Sequence, residues 1–467
     1  MGNDRKVTGE SLTPRIIGRA MDQMPLTPAL VAVTVIAAMG YLFDNMDNLF
    51  LAYALPSIAK EFSLQPQTIG LIASVGLVGM AVGSFAWGWI ADRWGRRMAF
   101  SATILIFSLF TGLLAASFSV GFIIGVRFLA GTGLGGAIPV DSSLVTEYAP
   151  ARIRGRLNGA LPAIWPVGQV LASGCALLIV PALGWRGLFL VGILPALLTA
   201  WVRRRVPESP RWLANRGRFE ESRKALHFIG VTDEALARAR AEDAAEPPAP
   251  EPPRPRFLDL FAPELRWRTI HTWLIWGLPL IAAWGMNLWM PTFFVKLYHI
   301  QLSKTLTYLF LISFIAVAGR FTVYFLVDKL GRKPFIIFPY AIAGIVALMF
   351  GLVETEAQLV AAFACYSFFE NMGSTAITIY APEVFPLHIR ALGTSSAMGI
   401  GRIGGAIAPY VIGVLMGSGH VGWIWIMISA TLIAPAAVTI WMGIETRGRN
   451  LEQLSILPVK KAKQALG

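Results

Sequence analysis

Apolar runs of about 20 residues, separated by short charged blocks, constrain this chain more than any single motif. They fall at 29–55, 68–91, 98–119, 121–144, 157–180 and 184–201, and resume after a long polar stretch at 269–292, 305–327, 334–353, 357–380, 391–416 and 422–443. A helix rises about 1.5 Å per residue, so about 20 residues cross the ~30 Å hydrocarbon core of a bilayer. Backbone polar groups in lipid must be satisfied within the segment, which makes each run a helix. The pattern predicts an all-α membrane protein with twelve transmembrane helices. Charged residues make up 14% of the 467, against roughly a quarter in soluble domains. Soluble enzymes, nucleic-acid binders and disordered chains are poor explanations of that composition.

The net charge of +13 points to nucleic acid only if position is ignored. Among 40 Lys and Arg, only Lys60, Arg186, Lys296 and Lys304 fall on one side of the expected membrane, and Arg127, Arg320 and Arg402 lie within spans or at their edges. The rest occupy the termini and the even-numbered loops, so by the positive-inside rule both termini are cytoplasmic. The expected location is the cell membrane, multi-pass, with lipid as a partner and no nucleic acid. No small-residue cleavage site follows the first apolar run, so residues 1–28 read as a cytoplasmic tail, not a signal peptide. The expected organisation continues with a six-helix bundle at 29–201, a cytoplasmic loop at 202–268, a second six-helix bundle at 269–443 and a cytoplasmic tail at 444–467. Within the central loop, 218–228 is helix-like, and Ala245–Pro253 is a Pro-rich extended linker.

Enzyme chemistry finds no footing. Cys175 and Cys365 lie inside apolar runs, and His227, His271, His299, His388 and His420 are scattered without metal-ligand spacing. No G-x-x-x-x-G-K-[ST] loop is present for nucleotide-driven pumping. No cofactor or metal is expected beyond a proton as coupling ion. A transport-dead sensor is the rival from another class, although the added soluble domain that usually marks one is missing from this sequence.

The strongest signal is a repeat. Gly88-Trp89-Ile90-Ala91-Asp92-Arg93-Trp94-Gly95-Arg96-Arg97 returns as Tyr324-Phe325-Leu326-Val327-Asp328-Lys329-Leu330-Gly331-Arg332-Lys333, an offset of 236. Glu147-Tyr148-Ala149-Pro150 with Arg154 returns as Glu383-Val384-Phe385-Pro386 with Arg390 at the same offset. Two motifs sharing one offset indicate duplicated halves, hence two pseudo-symmetric six-helix bundles.

These residues resemble the major facilitator superfamily over essentially the whole chain. Gly88–Arg97 is similar to its signature between spans 2 and 3, and Arg127-Phe128-Leu129-Ala130-Gly131-Thr132-Gly133-Leu134-Gly135-Gly136 to its span-4 motif. Pro207-Glu208-Ser209-Pro210-Arg211-Trp212-Leu213 resembles the sugar-porter signature, and Glu445-Thr446-Arg447-Gly448-Arg449 that group's Pro-Glu-Thr-Lys-Gly element, with Ile444 in place of Pro. Asp44-Asn45-Met46-Asp47 is similar to the Asp-Gly-x-Asp of aromatic-acid:proton symporters, with Asn45 replacing Gly. Gly136–Val140 and Gly401–Pro409 look like bacterial nicotinate permeases. Ile281-Ala282 stands where sugar porters carry Gln-Gln, before Gly285-Met286-Asn287. The resemblance implies proton-coupled import of a small organic anion, nicotinate-like or an aromatic monocarboxylate, by a monomer. A sugar or polyol is the alternative within transport.

The resemblance also implies a conformational latch of Gly88, Asp92, Arg93, Gly95, Arg96, Arg97, Glu147, Arg154, Glu208, Arg211, Asp328, Arg332, Glu383 and Arg390, with Asp92 capping a neighbouring helix N-terminus, where the dipole favours a carboxylate. Arg127, Gly131, Gly133 and Gly135 form the span-4 framework. The glycines also fit G-x-G-x-x-G, but that motif needs a strand before it, and small residues inside an apolar span serve helix packing.

Asp44 and Asp47 are three apart on one helix face, well inside span 1. Two carboxylates close together in low dielectric do not readily both ionise, so a proton is expected there. Asp141 and Glu370 are further intramembrane acids and proton-coupling candidates, with Arg127 and Arg402 as their expected partners. Arg402, flanked by glycines, is a candidate for the substrate carboxylate. Gln169, Asn287 and Asn371 are polar groups at mid-depth, and Trp165 and Trp284 are flat surfaces for a ring; together they complete the substrate candidates.

Overall fold

The computed structural model describes residues 12–22, 24–245 and 255–448. The Pro-rich linker at 246–253 and most of the C-terminal tail lie outside the described residues, and so does Arg449. The described chain is helical, with no strand among the described residues. Twelve helices carry the apolar runs: α1 (Pro28–Glu61), α2 (Pro66–Trp94), α3 (Arg96–Leu113), α4 (Val120–Tyr148), α5 (Trp165–Val191), α6 (Pro195–Arg205), α7 (Arg266–Thr292), α8 (Leu302–Leu330), α9 (Arg332–Met349), α10 (Glu356–Val384), α11 (Arg390–Gly417) and α12 (Val421–Met442).

Local chemistry sets their ends. Pro opens α1, α2 and α6, where its missing N–H costs nothing. The Ser119 hydroxyl accepts from the Phe122 N–H to start α4, and Thr355 with Gln358 forms a capping box at α10. Gly95 and Gly331, at φ +106° and +97°, make the sharp turns from α2 to α3 and from α8 to α9.

Among the described residues, ten segments are long and apolar enough to cross a membrane. One of them, Ala151–Thr199, has 49 residues and a non-helical break at Gly184. At 1.5 Å per residue it is longer than two hydrocarbon thicknesses. The 29-residue α10 is not among the ten; it carries Glu370 and Asn371 in mid-helix. Large apolar side chains such as Phe85, Phe325 and Trp441 stay exposed, which suits a solvent of lipid rather than water.

The described residues fall into two compact units. The first takes the chain up to Asp47, Gly79–Gln169, and the stretch from Phe189 to the linker. Here the stretch expected as a tail contains a helix, Pro14–Asp22, with Ile17, Ala20 and Met21 fully buried. Arg15 of that helix pairs with Asp243 at 3.0 Å, on the loop helix Asp233–Ala245. A further loop helix, Phe219–Phe228, occupies the helix-like stretch.

The second unit joins Asn48–Val78 and Val170–Leu188 to the second half of the chain. A Cβ on Gly70 of α2 would lie 2.5 Å from the Pro409 carbonyl of α11, and the Tyr410 N–H donates to Ser74 Oγ at 3.0 Å. Ser173 of α5 meets Ser313 of α8 at 3.3 Å, and a Cβ on Gly174 would lie 3.3 Å from the Phe310 ring. Shifted by 236, Ser74·Tyr410 maps onto Phe310·Gly174, so the two seams are pseudo-symmetric mates.

Candidate functional site

The first unit holds three buried carboxylates around α1 and α4. Asp47 lies 2.8 Å from Arg127 Nη1, and its other oxygen accepts from the Thr111 hydroxyl of α3. Both charged partners are sealed, at 3% and 2% exposure. Asp141, also on α4, is fully buried, and neither of its oxygens has a hydrogen-bond partner among the described residues. It fits against α1 because residue 40 is glycine: a Cβ there would collide with the carboxylate. Asp44, one turn on, is 1% exposed and within electrostatic reach of Asp141. Asn45 ties this stretch to α5, donating to the Trp165 carbonyl at 2.8 Å.

Arg127 is therefore the partner of Asp47, not of Asp141 or Glu370. In the second unit, Glu370 is faced by Arg320, whose Nε donates to Asn371 Oδ1 at 2.8 Å. Arg320, which faces Glu370, was not singled out from the sequence, because pairing depends on which helices touch.

The substrate candidates separate by unit. Trp165 and Gln169 are half-buried on α5 in the first. In the second, Arg402 and Trp284 are half-buried and Asn287 is exposed, while Asn371 is buried and engaged with Arg320 and the Ser367 carbonyl. A Cβ on Gly405 would lie 2.5 Å from Trp284 Cδ1. The indole thus lies against α11 three residues beyond Arg402, which places a cation and a flat ring on one α7–α11 seam.

The latch residues close into two matching clusters. In the first unit Arg96 meets Asp92 at 2.6 Å and Glu147 at 2.9 Å. Glu208 Oε1 accepts from the N–H groups of Arg96 (2.9 Å), Arg97 (3.0 Å) and Ser209 (2.9 Å), and the Ser209 hydroxyl donates to Glu147. In the second unit Arg332 meets Asp328 at 2.9 Å and Glu383 at 3.0 Å. Glu445 accepts from the N–H groups of Arg332 (2.9 Å) and Lys333 (3.0 Å), and the Thr446 hydroxyl donates to Glu383.

This corrects the role expected for Asp92. That side chain is exposed and pairs within its own turn, while Glu208 caps α3 and Glu445 caps α9. Glu445, Thr446, Ser209, Thr111 and Arg320 are site residues that motif reading missed. Glu445 was findable, since it follows Glu208 by 237 positions, one more than the repeat.

The remaining latch candidates are more peripheral. Gly88 has open space around it, Arg93 lies over Trp89, and Arg154 and Arg390 donate to the Ala149 and Phe385 carbonyls. Burial, then the like charge of Arg154, holds the Arg211 guanidinium below the ordinary arginine pKa. The span-4 glycines sit in continuous helix with no strand before them: a Cβ on Gly133 would lie 2.7 Å from Phe107 N, Gly131 packs against Gly79, and Gly135 against Met80. They let α4 approach α2 and α3.

Residues 33–457 match the family model described as sugar (and other) transporter. The niacin transporter NiaP of Acinetobacter baylyi is 31% identical over 440 residues, covering 93% of this chain and 99% of that protein. The 4-hydroxybenzoate transporter PcaK of Pseudomonas aeruginosa is 26% identical over 423 residues, covering 90% and 92%. Among solved structures, the inward open xylose transporter XylE from E. coli superposes with a TM-score of 0.71 at 19% identity, covering 91% of this chain and 99% of that one. That likeness carries the fold, and the sequence match carries the family. The chain belongs to the sugar (and other) transporter family of the major facilitator superfamily, whose members are multi-pass membrane transporters.

Proposed function

We propose that the protein imports a small aromatic monocarboxylate, nicotinate-like in size, together with protons by alternating access of two six-helix bundles joined by the central loop. One observation carries the coupling: among the described residues of the first unit, Asp141 is fully buried with no hydrogen-bond partner on either oxygen, while Asp47 takes the buried Arg127. Buried carboxylates without a countercharge are held neutral, and the available neutraliser is a proton. Asp141 is proposed to load and release the proton, with Asp44 within electrostatic reach of it. Arg402, one turn before the Gly405 that Trp284 packs against, supplies a cation on the helix that also meets a ring face, the two features a flat aromatic carboxylate needs. Within the second unit Asn287 of α7 is proposed to add a polar contact, and within the first unit Trp165 and Gln169 of α5 remain proposed substrate contacts. The relatives that transport niacin and 4-hydroxybenzoate support this substrate class.

In this reading the chain crosses the cell membrane twelve times, with Ala151–Thr199 crossing twice and α10 once. Both termini and both latch clusters face the cytoplasm, and the protein works as a monomer. The α2–α11 and α5–α8 seams then close the opposite end.

The test is uptake of labelled nicotinate into proteoliposomes with and without an inward proton gradient, beside Asp141→Asn. Accumulation driven by the gradient and abolished by the substitution, with exchange at equal pH retained, is expected. Gradient-independent equilibration by both proteins would reject coupling. Transport of xylose with no uptake of nicotinate or benzoate would reject the anion.

A further inference from the structure

The α8–α9–α10 corner of the second unit holds a polar cluster that plays no part in the anion site or in the carboxylates of α1 and α4. Glu370 of α10 is 5% exposed. Tyr366 precedes it by four residues on the same helix face. Tyr340 reaches in from α9 with its ring against Gly373, three residues past Glu370: a Cβ there would lie 2.7 Å from Cζ, the carbon bearing the hydroxyl. Tyr340 and Tyr366 are 0% and 3% exposed, and neither hydroxyl has a hydrogen-bond partner among the described residues. Both phenols and Arg320 of α8 are in electrostatic contact with Glu370, and Tyr324 faces Arg320 from one turn away. Asn371 holds Arg320 by Nε, yet no direct hydrogen bond or ion pair joins Arg320 to Glu370 among the described residues.

Two buried hydroxyls without a partner among the described residues thus lie within electrostatic reach of one carboxylate that a guanidinium also faces, and buried polar groups ordinarily find a hydrogen-bond partner. A buried water makes about three hydrogen bonds, and this cluster offers two phenols, an acceptor and a cationic donor. We propose that Glu370 is a second proton-binding site, wetted by an internal water held by Tyr340, Tyr366 and Arg320. The proton passes from that water to a Glu370 oxygen and returns by the same route. Loading it neutralises Glu370 and leaves Arg320 as the charge of the cluster.

The experiment needs no substrate, so its outcome is independent of the transport reading. Full-length protein in lipid bilayers is titrated with acid while infrared difference spectra follow the C=O stretch of protonated carboxyl groups. Glu370→Gln is expected to delete one titrating band that Asp141→Asn leaves in place. Tyr340→Phe with Tyr366→Phe is expected to move that band's midpoint by about 0.5 pH unit or more. A Glu370→Gln spectrum superimposable on the wild type overturns the proposal. Should Glu370→Gln not fold, the double Phe variant decides alone: a moved midpoint supports the site, and an unmoved one overturns it.

Discussion

Asp47 and Asp141 show how two buried acids of one unit find opposite surroundings. Asp47 has a guanidinium at 2.8 Å and the Thr111 hydroxyl, so its charge is answered. Asp141 has neither, only the notch at Gly40 and the nearby Asp44. Removing one member of a buried pair strands the other, at about 3–5 kcal/mol. Asp47→Asn is therefore expected to lower stability by that order, read as a lowered unfolding midpoint in detergent, and Asp47→Asn with Arg127→Gln to recover most of it. Asp141→Asn keeps the shape and strands no charge, so stability within about 1 kcal/mol of wild type is expected. Should Asp47→Asn alone unfold no more easily than wild type, Arg127 has another counterion. Gly40→Ala tests the notch separately, because its methyl group displaces the Asp141 carboxylate; weaker coupling at preserved expression is the expected result.

At the level of elements, the two capping carboxylates do the work that motif reading gave to Asp92. Glu208 and Glu445 come from outside the helices they cap, so they tie the segments after α6 and α12 to the starts of α3 and α9. Glu445→Ala is expected to cost about 1–2 kcal/mol and to slow the transport cycle more than it weakens substrate binding; an unchanged turnover would remove the latch from the cycle. The loop helix Asp233–Ala245 has its own pH dependence. Hydrogen bonds from Arg223 (2.8 Å) and then His227 (3.0 Å) hold the Asp233 carboxylate down at about 2. A depressed carboxylate stabilises fully above its ordinary pKa of about 4 and loses that contribution as pH falls toward 2. Hydrogen exchange in this helix is expected to accelerate across that window in the wild type, and without that step in Asp233→Asn.

For the whole molecule, the proposed alternating access requires the two seams in the second unit to open. At Gly70 the close neighbour is the Pro409 backbone carbonyl, 2.5 Å from an added Cβ, and not a flexible side chain. Gly70→Val is expected to hold this seam open, read as faster labelling of a cysteine placed at Ser74 than in the wild-type background. Equal labelling rates would mean that the seam tolerates the extra bulk.

The sequence by itself determined the helical class, the duplication and the family. Span length, the hydropathy of each run and a repeated motif are properties of consecutive residues, and a bilayer leaves helices as the solution for such runs. It also marked the buried acids, because a carboxylate inside an apolar run is conspicuous wherever the helix packs. Only the tertiary structure decided which arginine faces which acid, that Glu208 and not Asp92 caps α3, and that Pro14–Asp22 folds onto the loop helices. Asp47 meets Arg127 across 80 positions, and Glu370 faces Arg320 across 50. Such pairings depend on helix rotation and on close approach at glycines 40, 133 and 373. Rotation and approach are set by packing among distant segments, which no local pattern records.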